Sequence, residues 1–592
     1  MYALERFLPT TWRVTAYRHL RALLFPLVVA LPPLAWVVDA THRASLTTLG
    51  RDQGIFQYIA WAIGEGAVDY RDVRDVNGPL THLIHFIFLK LGGADEHRFR
   101  SLDFVVCGIT FAIFGACLPG VVKKTRVLWT ERIGWAFAAW VVLSAQLLQY
   151  IWWDLAQRES FFDWFVLCAV AVQLVAQRNL AKIDSRASRF FIGVAGAFSA
   201  ITWLGKPTYA LFTIGQLVAL LFDGSLRISR WRALLTFAIG GVCGALVPLA
   251  FLLIYGDPRA FFHIYFVDVP AMYRFMMPRT PAEILSLEWG GTTAVLSMAT
   301  SALLLSLIWD GQIPRRFLSI ALLPLLGLLS VLAQAKGFPY HFHPVTLGLA
   351  AEWLLIALWL VEKFRTAPRA RTFARLVPFL AVMTLAIKTG MNMQGSPHIQ
   401  DIWILGKAGD AEERSSHDYL VYFTNSDFFP WDLRQTADYL RSHTAPTDEV
   451  QTYGMDPYVL FLAQRKSATP YIYAYDLNSD AALGGSWMPQ GTRPNIQQGE
   501  KIRQIVEEHD EDMLAKLEAK PPAAFVFFDG APLTSEDDAF IDFTEHCPHS
   551  APWMRDRYKL TARFGHDQVW LRSDLAEGVA ASPERHETGG EE

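Results

Sequence analysis

Apolar runs of membrane-crossing length, about 17–25 residues, recur through the first 390 residues of the chain. They lie near 22–39, 102–122, 133–151, 161–177, 190–205, 207–222, 233–255, 290–309, 317–334, 344–362 and 373–389. The run 80–92, "LTHLIHFIFLKLG", is shorter and carries His82, His85 and Lys90. The basic loops decide its place. With the N-terminus cytoplasmic and 80–92 not crossing, "KKTR" (123–126), "QRNLAKIDSRASR" (177–189), "RISRWR" (227–232), "PRR" (314–316) and "EKFRTAPRARTFAR" (362–375) all fall on the cytoplasmic side, as the positive-inside rule requires. A crossing at 80–92 would move every one of them. The run therefore reads as a helix lying in the interface. About eleven crossings result, and the polar C-terminal region emerges on the exoplasmic side. Arg6, Arg13, Arg18 and Arg21 precede the first run. Its length and the lack of a small-residue cleavage site read as a retained helix rather than a cleaved leader.

Beyond residue 390 the periodicity changes. "DEVQTYGM" (448–455), "TPYIYAY" (469–475), "AAFVFFDG" (523–530) and "DQVWLRS" (567–573) read as strands, and "DPYVLFLAQR" (456–465) and 499–520 as helices. A small α/β domain with a parallel or mixed sheet is expected over 391–575, followed by a polar, disordered tail at 576–592. The membrane domain occupies 1–390, with a long first outer loop at 40–101.

Composition adds limits. Hydrophobic residues make up 52% of the 592, and charged residues 19%, below the roughly 25% of a soluble domain. Twenty Trp and forty Phe suit extensive lipid-facing and interfacial surface. The apolar runs make the lipid bilayer the chain's environment, and the small net charge of −4 suggests no nucleic-acid partner. The five cysteines form no CxxC pair, so neither a disulfide framework nor a thiolate zinc site is indicated.

The outer-side loops hold the unusual chemistry. The first carries Asp52, Asp69, Asp72 and Asp75 among Arg51, Arg71 and Arg74. The others are "DLAQRES" (154–160), "GKP" (205–207), the segment 256–289 and "QAKGFPYHFHP" (334–344). Ionisable groups at membrane depth are costly and usually functional. Taken singly, each has an ordinary alternative. Asp52, Arg158 and Glu159 could cap helices. Asp72 and Asp75 could pair with Arg71 and Arg74. Lys206 could reach to lipid headgroups. His341 and His343 have a spacing compatible with a metal, but two ligands are too few for a zinc site. No Gly-rich phosphate loop is present.

In order and side, "RDQGIFQYIAWAIGEG", "DYRDVRDVNGPL", "LGGADEHRFRSLD", "GKPTYAL" and "KGFPYHFHP" resemble the GT-C superfamily of polyprenyl-phosphate-sugar-dependent glycosyltransferases. That group includes protein O-mannosyltransferases and the lipid A aminoarabinose transferase. The resemblance covers roughly 20–360. It implies a polytopic α-helical GT-C-like membrane domain with a C-terminal soluble α/β domain. It also implies transfer of a hexose or pentose, with inversion, from a polyprenyl-phosphate-linked donor to an envelope glycan, lipid or protein on the outer face of the inner membrane. Asp52 would be the catalytic base. Tyr70, Asp72, Asp75, Arg158, Glu159, Lys206, Lys336, Tyr340, His341 and His343 would contact substrate. Gln53 stands where the family often has a second acid, Asp69 where it often has Pro, and Asn77 where it has Lys. The donor phosphate would then need another cation, Lys206 or Lys336. No cofactor is fixed; a divalent metal is compatible with the sequence, with unknown ligands. A transporter or flippase, or an inactive scaffold of envelope assembly, stands as the alternative function.

Overall fold

The computed structural model describes residues 10–123, 127–366, 411–425, 427–484 and 493–580. The predicted crossing at 373–389 lies outside them, as do most of the "KKTR" and 362–375 loops. The N-terminal part is helical throughout: α1 (Thr10–Leu46), α2 (Arg51–Gly64), α3 (Pro79–Gly92), α4 (Glu96–Val122), α5 (Trp129–Leu147), α6 (Arg158–Leu180), α7 (Arg186–Ala200), α8 (Ala210–Phe222), α9 (Arg230–Tyr255), α10 (Glu288–Trp309), α11 (Leu323–Gln334) and α12 (His343–Thr366). Among the described residues eight helical stretches are long and apolar enough to cross a membrane. The shorter α5 and α8 pack among them. This is a multi-pass helical membrane protein.

Two short helices shape the first loop. The 14 residues of α3 span about 21 Å at 1.5 Å per residue, less than the roughly 30 Å hydrocarbon core. Both α2 and α3 are buried along most of their length. α2 packs against the C-terminal part of the chain, and α3 packs against α2, α4 and α9. The segment between them is pinned to the end of α9: Asp69 N–H donates to Tyr255 O (2.9 Å), and Asp257 N–H to Asp69 O (3.0 Å).

The C-terminal part comprises α13 (Pro430–His443), β1 (Glu449–Tyr453), α14 (Tyr458–Ala463), β2 (Lys466–Ser467), α15 (Ile496–Ala519), β3 (Ala524–Phe528), α16 (Ala539–His546), β4 (Tyr558–Phe564), β5 (Asp567–Arg572) and α17 (Ser573–Ala580). The sheet order is β2-β1-β3-β5-β4. β1 runs parallel to β2 and β3, and β5 antiparallel to β3 and β4, so the sheet is mixed. The run 469–475 is not a strand. Pro470 has no N–H for a ladder, and the chain passes into a short helical turn at Ala474–Asp476 against the membrane domain. Edge strand β4 escapes the sequence pattern because most of its side chains are exposed or half-exposed. The segment read as a disordered tail begins as helix α17, with Ala576 buried. Beyond residue 580 it lies outside the described residues.

Candidate active site

A cavity of about 320 Å³ opens between the two parts. Four of the five segments that the sequence reading groups together supply its membrane-domain wall. Asp52, Phe56, Asp75 and Asn77 come from the first loop, and Arg158 from the second, with Trp153 immediately before that segment. Tyr273, Met276 and Met277 come from 256–289, and Lys336, Phe338 and Tyr340 from 334–344. The C-terminal domain adds Asn425, Asp427, Met455, Tyr473, Tyr475, Pro532 and Leu533.

Asp52 owes its freedom to its neighbours. The N-cap of α2 is Gly50, not Asp52. Gln53 closes the cap, its Oε1 accepting from Gly50 N–H at 2.5 Å, while its Nε2 donates to Trp153 O (2.9 Å) and Leu155 O (2.7 Å). Arg51 turns the other way, to Asp456 (2.8 Å) and Asp427 (3.2 Å) of the C-terminal domain. Asp52 is left half-buried in the first helical turn, without an ion pair or hydrogen bond from a side chain among the described residues. Burial pushes its pKa up; the nearby Arg158 and Arg51 guanidinium groups pull against that shift.

Two cations border the same space without a carboxylate partner among the described residues. The Arg158 guanidinium lies 5.8 Å from the ring centres of both Phe56 and Tyr340, and its Nη2 is 3.5 Å from the Tyr340 hydroxyl. Its Nε is buried with no partner. Lys336 stands between Ala335 and Gly337, both at positive φ, a turn that sends its side chain inward. Its Nζ donates to Tyr273 O (3.1 Å) and Met276 O and sits 4.8 Å from the centre of the Tyr273 ring. Burial lowers the Lys336 pKa to about 7.

The remaining candidates divide. Glu159 is fully buried behind Arg158 and is ion-paired with Lys206; His341 Nε2 is 3.7 Å away. Burial lowers the Lys206 pKa to about 8, with Glu159 opposing. Lys206 thus has a structural partner and does not border the cavity. His343 accepts no share in a common site with His341: its Nε2 meets Asp154 O at 2.8 Å, and its ring stacks 3.8 Å from Tyr150. Tyr70 is buried at φ 66, its hydroxyl donating to Asn77 O (2.7 Å) and its ring against Phe261. Asp72 sits on the surface with Arg71. Neither Tyr70 nor Asp72 borders the cavity.

Asp75 reaches the cavity edge but is already saturated. It accepts from Val76 N–H (2.8 Å), Asn77 Nδ2 (2.9 Å), His82 Nε2 (2.8 Å) and the Tyr473 hydroxyl (3.0 Å). The other ring nitrogen of His82 contacts Asp69 at 2.8 Å. Carboxylates on both sides raise the His82 pKa to about 10, against burial, so the ring is an imidazolium donating from both nitrogens. A second clamp is buried beside it: Arg74 bonds Asp268 (2.9 Å) and Asp476 (2.8 Å). Sequence inspection missed His82, Arg74, Tyr473 and Tyr475. The one available signal was a histidine three residues into an interfacial helix that follows an acid-rich turn.

The grouping of three potential metal ligands found among the described residues is Glu507, Glu511 and His549. It lies largely exposed on α15 and the turn before Ser550, away from the cavity lining.

No protein-family model matches the chain, and no curated protein matches it. Three solved structures illustrate what it is similar to. ArnT from Cupriavidus metallidurans bound to undecaprenyl phosphate aligns over 98% of this chain and 100% of its own, at 14% identity and a TM-score of 0.49. The apo oligosaccharyltransferase of Archaeoglobus fulgidus aligns over 86% and 70%, at 13% and 0.42. AglB from Archaeoglobus fulgidus, in complex with an inhibitory peptide and a dolichol-phosphate, aligns over 96% and 75%, at 12% and 0.41. At these values the likenesses assign the chain to no family.

Proposed function

We propose that this chain is an integral membrane glycosyltransferase that moves a sugar from a polyprenyl-phosphate-linked donor to a hydroxyl of an envelope acceptor on the exoplasmic side. One observation carries this reading: an unpaired carboxylate, Asp52, borders the same cavity as two cations, Arg158 and Lys336, that lack carboxylate partners among the described residues. The order of motifs along the first 360 residues, which resembles the GT-C glycosyltransferases, supports it. So does the placement of the cavity at the ends of membrane-crossing helices, where a lipid tail can stay in the bilayer.

The chemistry follows from the charges. An acceptor hydroxyl attacks the anomeric carbon, forming the new C–O bond as the C–O bond to phosphate breaks. Asp52 takes the hydroxyl proton. Burial raises its basicity, which suits a general base. The leaving polyprenyl phosphate gains negative charge, and Arg158, Lys336 and the Tyr340 hydroxyl are positioned to stabilise it. In-line attack from the face opposite the phosphate inverts the anomeric centre. Asn77 is bonded to Asp75, so the role of the absent lysine falls to Lys336 and Arg158.

The test is complementation of a deletion strain, with envelope lipids and glycans profiled by mass spectrometry. Asp52→Asn keeps the shape of the side chain and removes the base. It should accumulate in the membrane like the wild type and lower transfer about 100-fold or more, the scale of a positioned base. Restoration of the missing glycan by Asp52→Asn would favour a scaffold or transporter.

A further inference from the structure

One wall of the cavity is unused by the chemistry just described. Tyr473 and Tyr475, from the C-terminal domain, border it with rings stacked 4.9 Å apart and inclined by 10°. Tyr473 is fixed: its hydroxyl donates to Asp75, which is held in turn by His82 and Asn77. Tyr475 is only 3% exposed, yet its hydroxyl has no hydrogen-bond partner among the described residues. The ring of Tyr273, from the membrane domain, faces it at 6.0 Å.

The hydroxyl of a largely buried tyrosine normally finds a partner, and this one is not sealed in the protein but opens on the cavity. One that borders a cavity, on a ring held rigid by a stacked neighbour, is arranged to meet a ligand's polar group. Stacked aromatic faces and a free phenol suit a hydroxylated sugar ring, which offers C–H faces and hydroxyl edges. We propose that Tyr475 is a sugar-recognising residue, its hydroxyl hydrogen-bonding a ring hydroxyl of the donor sugar, so that the C-terminal domain sets sugar selectivity. The proposal rests on the donor reading above and adds a subsite to it.

The experiment measures affinity of the full chain in lipid nanodiscs for decaprenyl phosphate alone and for decaprenyl-phosphate-linked glucose, mannose, galactose and arabinose. The wild type should bind at least one sugar-bearing lipid more tightly than decaprenyl phosphate. Tyr475→Phe, which keeps the stacked ring, should weaken that lipid about 2- to 12-fold, the scale of one neutral hydrogen bond, and leave decaprenyl phosphate unchanged. Lys336→Ala should weaken both. If Tyr475→Phe kept the full wild-type preference for the sugar, the subsite would be overturned and the donor reading would stand. A wild type that binds no sugar-bearing lipid better than decaprenyl phosphate would overturn the donor reading itself.

Discussion

Arg51 Nε donates to Asp456 Oδ1 at 2.8 Å, with both side chains about 95% buried. The bond ties the first turn of α2, which carries Asp52, to the C-terminal domain. Arg51 thus serves as a fastener beside a neighbour that stays free.

Breaking that fastener should unsettle the whole upper part of the molecule. Arg51→Met leaves Asp456 buried and uncompensated, a change that costs about 3–5 kcal/mol. Thermal unfolding in detergent should shift down, and limited proteolysis should release the C-terminal domain. The double variant Arg51→Met/Asp456→Leu should recover part of the loss. A wild-type melting profile for Arg51→Met would show that the pair does not hold the domains together.

Lys206 and Lys336 should respond differently to removal. Lys336→Ala should keep the fold and weaken donor binding about 10- to 150-fold, the range for charge-assisted hydrogen bonds of about 1.5–3 kcal/mol. Lys206→Ala strands Glu159, which is 0% exposed, and should lower stability and yield. Its folded fraction should bind donor within a few-fold of wild type. Equal loss of donor affinity in both, at equal stability, would return Lys206 to the phosphate.

Donor binding should depend on pH through Lys336. With a pKa lowered to about 7 by burial, the ammonium is charged below that value and neutral above it, while a phosphodiester keeps its single negative charge throughout. Affinity should therefore be highest below pH 7 and fall as pH rises past it. Lys336→Arg should bind tightly with a flat profile, and Lys336→Met weakly with a flat one. Titration of donor affinity between pH 5.5 and 9 checks this. A flat wild-type profile would mean the lysine is charged throughout.

Stability should carry a separate signature from His82. Its folded pKa is raised from 6.5 to about 10. Its stabilising contribution is therefore full below pH 6.5 and is lost as pH climbs towards 10. Melting temperature should decline across that window, and His82→Gln should abolish the decline while lowering stability at neutral pH. An unchanged slope in His82→Gln would assign the pH dependence to other groups.

How much of this was legible in the sequence depended on how far apart the partners lie. Asp52 stood out chiefly through the resemblance, whose pattern has an acidic residue after the first helix, and because it opens an amphipathic run. Strands β1, β3 and β5 were readable from apolar runs bounded by turn residues. Lys206 and Lys336 stood as equal candidates for the donor phosphate, each next to a glycine. What separates them is Glu159, 47 residues before Lys206 in the chain. Tyr473 and Tyr475 were misread as strand because alternating aromatics describe a ladder and a cavity wall equally well. The role of His82 could not emerge, since its two acids sit on opposite ends of a turn whose shape the sequence does not specify.

The Arg51–Asp456 bond joins residues 405 positions apart. At a synthesis rate of about 5–20 residues per second, the first loop waits about 20–80 s on the ribosome before its partner exists. Through that interval Arg51 and Asp52 stand without the C-terminal domain that covers them. The nascent loop must be held first by its own contacts, chiefly the His82 clamp between Asp69 and Asp75, and then by the pairing of Asp69 with the end of α9 once that helix is made. The clamp is thus a brace for assembly, in place for the last domain to dock onto.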